Sequence, residues 1–255
     1  MTCLPKISVI IPTCDRPAKF LNQAIDSVML QSLLPCEILV IDNGISPAEF
    51  MSLPESVVTL YRLKPRIGVS RARNFGAAMA AGEYLAFLDD DDWWEADFLK
   101  EAWCAMTSDR VKCVYGRLDT WRDGKQSQFK VPTVETLNIK TLLRRNPATS
   151  GQNLMIAKTL FFSIGGFDER LLTAEDKALA LELLLAGEKI GVAPNAVAVL
   201  RNHEGGRLSQ NVLRRLSFQW KYRRLSSRAN FIGRIADIVL NASKNRLKVI
   251  FRVMS

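Results

Sequence analysis

Four short apolar runs, the first three rich in β-branched residues, recur between stretches of helical spacing: KISVIIP (6–12), EILVID (37–42), VVTLYRL (57–63) and EYLAFLD (83–89). KISVIIP and EILVID, with little polar alternation, have the pattern of strands buried on both faces, and the other two read as further strands. Residues 17–30 separate the first two, with Phe20, Leu21, Ala24, Ile25, Val28 and Met29 on one helical face. The Ala-rich stretch GVSRARNFGAAMAAG (68–82) separates the last two and stops at Gly82. The order β-α-β-loop-β-α-β predicts an α/β fold: a mostly parallel central sheet, right-handed crossovers, and helices on both faces. With 255 residues, 48% hydrophobic and 24% charged, the chain can bury one large core and is not a disordered one.

The second half is less regular. KCVYGRLDTWRDGKQSQFKV (112–131) reads as strand–turn–strand about Asp123–Gly124, residues 134–145 as helix, and GQNLMIAK (151–158) as strand. EDKALALELLLAG (175–187) is a helix with acids in its first turn and Gly187 as its stop. A boundary is expected near 205–210, giving a domain over 1–207 and a basic amphipathic extension over 208–255.

Ligands of open α/β sheets bind beyond the carboxyl ends of the strands. The residues after Ile11, Ile41 and Leu88 read PTCDRP, DNG and DDDD. Four adjacent carboxylates, Asp89 to Asp92, repel one another, so either they form a solvated turn or a cation holds them. Mg²⁺ or Mn²⁺ suits such a turn, because these ions take oxygen ligands and bind one or two carboxylates together with substrate phosphates.

SVIIPTCDRP, EILVIDNG, GVSRARNFGAAMAAGEYLAFLDDDDWW and GGFDERLLTAED occur in the order seen in family 2 glycosyltransferases, and over roughly residues 6–205 the chain resembles that family. The resemblance implies a GT-A fold, a nucleoside-diphosphate sugar donor (a UDP-sugar favoured), and Mn²⁺ or Mg²⁺ as cofactor. It implies that Pro12, Thr13 and Asp15 contact the nucleoside and Asp42 the base, with Asn43 standing where many relatives have a second Asp. Arg73 and Asn74 are implied near the nucleotide, Asp90 on the ribose side, and Asp91 on the metal, while Asp89 closes the strand and Asp92 caps a helix starting near Trp94. Asp176 is implied as the base that deprotonates an acceptor hydroxyl, with inversion at the anomeric carbon, and the helix dipole is expected to lower its pKa. Asp168 and Glu175 are implied on the acceptor side. His203 is either incidental or a further metal ligand, and Trp93 and Trp94 are either core or a platform for a sugar ring.

The net charge of +9 is uneven: residues 201–255 hold 13 Lys/Arg against 2 Asp/Glu, and the rest hold 22 against 24. The basic extension suits an anionic membrane surface, packing on its own domain, or a dimer contact. A near-neutral body with acidic strand ends argues against nucleic acid as a partner. The cysteines at 3, 14, 36, 104 and 113 are scattered, as for free thiols in a reducing compartment. No apolar run approaches a membrane span and the N-terminus lacks a leader pattern, so the expected location is cytoplasmic, at most peripheral on the membrane's inner face. The expected activity is metal-dependent sugar transfer to a glycan or lipid-linked acceptor, as in bacterial surface polysaccharide or lipopolysaccharide assembly. The rivals are a sugar-nucleotide pyrophosphorylase, whose Gly-rich loop PTCDRP lacks, and a non-enzymatic basic adaptor.

Overall fold

The structure is a computed structural model that describes residues 4–49, 57–171, 173–202, 218 and 220–222. It is an α/β fold around one nine-stranded sheet in the order β3-β2-β1-β4-β8-β6-β9-β5, with β7 paired to β6. The first half alternates as expected: β1 (Ile7–Thr13), α1 (Ala18–Met29), β2 (Glu37–Asp42), β3 (Val58–Arg62), α2 (Val69–Met79) and β4 (Tyr84–Phe87). Strands β1 to β4 pair only in parallel among themselves, with β1 between β2 and β4. Every residue of β1 is buried, because helices cover both faces. Ile7, Val9 and Ile11 point into the layer shared with α1, and Ile10 into the layer shared with α2.

Helix α2 lies close on β1 because Gly76 faces it: a Cβ there would come within 2.6 Å of Ile10 Cγ2. The remaining elements are β5 (Trp93–Trp94), α3 (Phe98–Ser108), β6 (Cys113–Arg122), β7 (Lys125–Lys130), α4 (Ile139–Arg144), a 3-10 turn at Gly151–Asn153, β8 (Leu154–Ala157), α5 (Lys158–Ser163), α6 (Glu175–Leu185) and β9 (Gly191–Arg201). Here antiparallel joints enter: β8 pairs antiparallel with both β4 and β6, and β7 with β6. The helix expected over 134–145 is confined to α4, and the strand expected from Gly151 begins only after the 3-10 turn. The helix expected near Trp94 starts at Phe98, because Trp93 and Trp94 pair with Val199 and Ala198 of β9.

Among the described residues, no helix is long and apolar enough to cross a membrane. Most of the basic extension lies outside the described residues, but Phe218 and Tyr222 are buried in the same core cluster as α6. A division at 207 would separate them from the core in which they pack.

Candidate functional site

The ends of β1, β2 and β4 converge on one edge of the sheet, and side chains stitch them together. Thr13 Oγ1 donates to Asp90 Oδ2 at 2.7 Å, and Asn43 donates through both its backbone N–H (2.9 Å) and Nδ2 (2.8 Å) to the Thr13 carbonyl. Asp15, at φ 52°, accepts from the Ile45 and Ser46 N–H groups and so ties the β1 loop to the β2 loop. Gly44 is required at this crossing, since a Cβ there would lie 2.8 Å from the Asp15 nitrogen. Pro12 is buried within β1 opposite Ile41.

Asp42 is placed differently from a group waiting for a base. It is 1% exposed; its carboxylate accepts from the Gly44 and Ala48 N–H groups, and Arg62 Nη1 donates to it at 2.8 Å. Its lone pairs thus serve its own loop. Asn74 likewise holds a loop: Nδ2 donates to the Phe167 carbonyl and Oδ1 accepts the Phe167 N–H.

The four acids of the β4–β5 turn have four environments. Asp89 pairs with Arg73 at 2.5 Å. Asp90 bonds to Thr13 and, at 2.9 Å, to Arg16 Nε, while Arg16 Nη2 reaches Asp91 at 3.1 Å. Asp92 accepts the Arg201 N–H at 2.7 Å, which fixes the turn to β9 rather than capping a helix. Burial pushes the Asp90 carboxyl up to about 6, with Arg16 and Thr13 opposing the rise.

Arg73 joins this turn to the start of α6. The side chain is 2% exposed, and besides Asp89 its Nη1 bonds Glu175 at 3.1 Å and Asp176 at 3.0 Å. Burial alone would lower its pKa, but the surrounding carboxylates raise it overall. Gly151 makes the passage possible, because a Cβ there would lie 2.8 Å from Arg73 Cζ. Asp176 does not follow the lowering expected from the helix dipole. Burial pushes it up to about 8, the neighbouring Glu175 and Asp89 charges add to this, and Arg73 with the Gly151 N–H only partly oppose it. Desolvation and like charge outweigh a half-charge helix terminus. The Asp176 side chain still has 20% of its surface exposed.

Asp168 has both oxygens engaged by cations. Arg170 grips it through Nε at 2.9 Å and Nη2, and Lys221 lies at 3.0 Å. These bonds hold its pKa low against the effect of burial. Lys221 also pairs with Glu182 of α6 at 2.8 Å, so Asp168 helps to anchor the C-terminal segment. Trp94 is core: it is 3% exposed, stacks on Phe98, and donates Nε1 to the Gln152 carbonyl. Trp93 is half-buried, edge-on to Trp121 with the Arg201 guanidinium 4.9 Å from its ring. His203 lies outside the described residues.

Three participants were not legible in the sequence: Arg16, Gly151, and Tyr115, whose buried hydroxyl has no partner among the described residues and which interacts electrostatically with Asp176. Arg16 sits inside PTCDRP, and a cation beside strand-end acids is the signal that would have found it.

As a metal site, Asp90 and Asp91 fit in one respect: both already converge on a single cation, the Arg16 guanidinium. Among the described residues, no group of three or more His, Cys, Asp or Glu side chains forms a cage.

Residues 8–167 match the model of Glycosyl transferase family 2. The chain belongs to that family. A Haemophilus influenzae glycosyltransferase is 30% identical over 149 residues, covering 56% of this chain and 59% of that protein. The succinoglycan biosynthesis protein ExoW of Rhizobium meliloti is 31% identical over 153 residues, covering 56% of this chain and 47% of ExoW. The chain thus spans about half the length of these family 2 relatives. Among solved folds, S. aureus TarS residues 1–349 in complex with UDP-GlcNAc superposes with a TM-score of 0.64 at 19% identity, over 92% of this chain and 71% of that one. GalNAc-T7 with UDP, GalNAc and Mn²⁺ superposes at 0.61 and 20% identity, over 81% and 45%. These two share the GT-A architecture expected for this family 2 chain.

Proposed function

We propose that the chain is an inverting glycosyltransferase that moves a sugar from a nucleoside-diphosphate sugar to a hydroxyl of a glycan or lipid-linked acceptor. The observation that carries this reading is the Arg73 hub. One buried guanidinium bonds both Asp89 at the acidic end of β4 and Asp176, the latter 103 residues beyond Arg73, which supports reading a donor site and a base as one unit.

In this reading the nucleotide lies across the ends of β1 and β4, with Thr13 and Asp90 on its ribose side and Asp15 and Asp42 shaping the loops beneath the base. Arg73 acts through Asp89 and Asp176 rather than on the nucleotide. The acceptor hydroxyl gives its proton to Asp176 as its oxygen bonds the anomeric carbon, and the bond from that carbon to the diphosphate oxygen breaks on the opposite face. A carboxylate whose proton affinity is raised by burial is the stronger base for this step. Mn²⁺ or Mg²⁺ held by Asp91, with His203 as a further candidate ligand, would supply charge neutralisation to the departing diphosphate. Glu175 contributes through its charge beside Asp176, and Asp168 through the loop that borders the acceptor side. ExoW's name ties that relative to a polysaccharide, which is the acceptor class we propose here. The basic extension then suits peripheral contact with an anionic membrane that presents a lipid-linked acceptor.

The test is a thermal-shift screen of nucleoside diphosphates with and without Mn²⁺, beginning with UDP, followed by donor turnover. Stabilisation by one diphosphate, and loss of at least about a hundredfold in turnover in both Asp91→Ala and Asp176→Ala with the fold retained, is the expected result. Turnover surviving in both variants would sink the assignment.

A further inference from the structure

Two arginines neutralise the acids of this site, and they are built differently. Arg73 is enclosed: its guanidinium meets three carboxylates, is hemmed by Gly151, and lies 5.1 Å from the Phe167 ring centroid. Arg16 has 30% of its side-chain surface exposed and follows β1 on a loop. Its guanidinium straddles the two carboxylates that the donor reading assigns to nucleotide and metal, Nε on Asp90 Oδ1 and Nη2 on Asp91 Oδ2. The turn does not depend on Arg16 for its shape. Thr13 holds Asp90 Oδ2, Arg201 Nε bonds the Asp91 carbonyl, and the Arg201 N–H bonds Asp92. Arg16 can therefore leave without unravelling the acids.

We propose that Arg16 is an exchangeable internal cation: it neutralises Asp90 and Asp91 before donor arrives, yields Asp91 to the divalent ion, and takes the diphosphate as its new partner. This rests on the donor-site reading above and adds a coupling to it. A divalent ion on Asp91 would sit a few ångströms from the Arg16 guanidinium that pairs with the same carboxylate, and the two cations repel each other. Metal binding alone weakens the Arg16 pair with Asp91 and brings no new anion in exchange. With a diphosphate present, the displaced planar fork gains phosphate oxygens that it can bond in bidentate fashion. Metal and nucleotide affinities are then linked through Arg16 as well as by direct coordination, and the linkage is reciprocal.

The two ligands should respond in opposite directions when Arg16 is neutralised. Mn²⁺ binding, measured by calorimetry or by the electron paramagnetic resonance of the free ion, should be about tenfold tighter in Arg16→Gln than in wild type when Mn²⁺ is the only ligand. The enhancement of Mn²⁺ affinity by saturating UDP should shrink in the same variant. Arg16→Lys, with one point charge in place of the fork, should fall between the two, and thermal unfolding confirms that each variant is folded. Equal or weaker Mn²⁺ binding in Arg16→Gln, or an unchanged enhancement by UDP, would overturn the exchange. If wild type itself bound no Mn²⁺ with UDP present, the donor site would fall and the exchange with it, an outcome visible without any variant.

Discussion

Asp176 is held in a state that costs the fold stability once its carboxyl is ionised. Its folded-state pKa is raised to about 8 by burial and by Glu175, while an unfolded Asp titrates at its ordinary value of about 3.9. Between those values the folded chain binds more protons than the unfolded one, so this residue's contribution makes stability fall as pH rises from about 4 to about 8. Asp176→Asn should accordingly be more stable than wild type at pH 8, on the order of 1–3 kcal/mol, with the gap closing toward pH 4. Urea midpoints across that range check it, and a gap that widens on acidification would contradict the assignment. The acids themselves were legible, because a run of aspartates after a buried strand is a local pattern. Their separate roles were not. Which carboxylate is neutralised depends on Arg16, Arg73 and the Arg201 N–H, and these arrive from 74, 16 and 109 residues away.

At the scale of elements, α2 decides where Arg73 sits. Gly76 lies one helical turn beyond it and lets the helix approach Ile10 of β1. Gly76→Val would place a branched side chain against a methyl of the central strand, which cannot swing aside. Overpacking of this kind costs about 1–3 kcal/mol, and it should lift α2 and with it the Arg73 guanidinium. The expected outcome is a lower denaturation midpoint and a turnover loss of about tenfold or more, since misplacing a positioning group costs rate steeply. Undiminished turnover would show that α2 does not set the site. The helix was readable from its alanines, and β1 and β2 from their β-branched runs. β9 was not, because GVAPNAVAVLR carries Pro194 and Asn195 in its middle. The sheet accepts them through a register shift opposite Gly116, where a Cβ would come 2.4 Å from the Ala196 carbonyl oxygen.

At the scale of the whole molecule, the question is where the body ends. Phe218 is 1% exposed within the α6 core, Lys177 Nζ lies 3.6 Å from its ring centroid, and Tyr222 donates to Glu182. A truncation after residue 207 should therefore lose stability by removing core side chains, about 3–5 kcal/mol for an aromatic of this kind. One after residue 224 keeps these contacts and removes six Lys/Arg against one Asp. If the extension meets an anionic membrane, the longer form should keep its melting temperature and lose binding to anionic vesicles. Unchanged vesicle binding would remove the membrane from the proposal.

The sequence alone determined the α/β alternation, the sheet edge where the acids gather, and the family, because strand burial, helix spacing and turn chemistry are written in neighbouring residues. Only the tertiary structure decided the division of labour among the acids. Asp42 was turned inward to its own loop, Asp168 was taken by Arg170 and Lys221, and Asp176 was raised by burial beside Glu175. The physical reason is that a carboxylate's charge state and availability follow from desolvation and from cations that reach it across the fold, and neither quantity exists until the chain has folded.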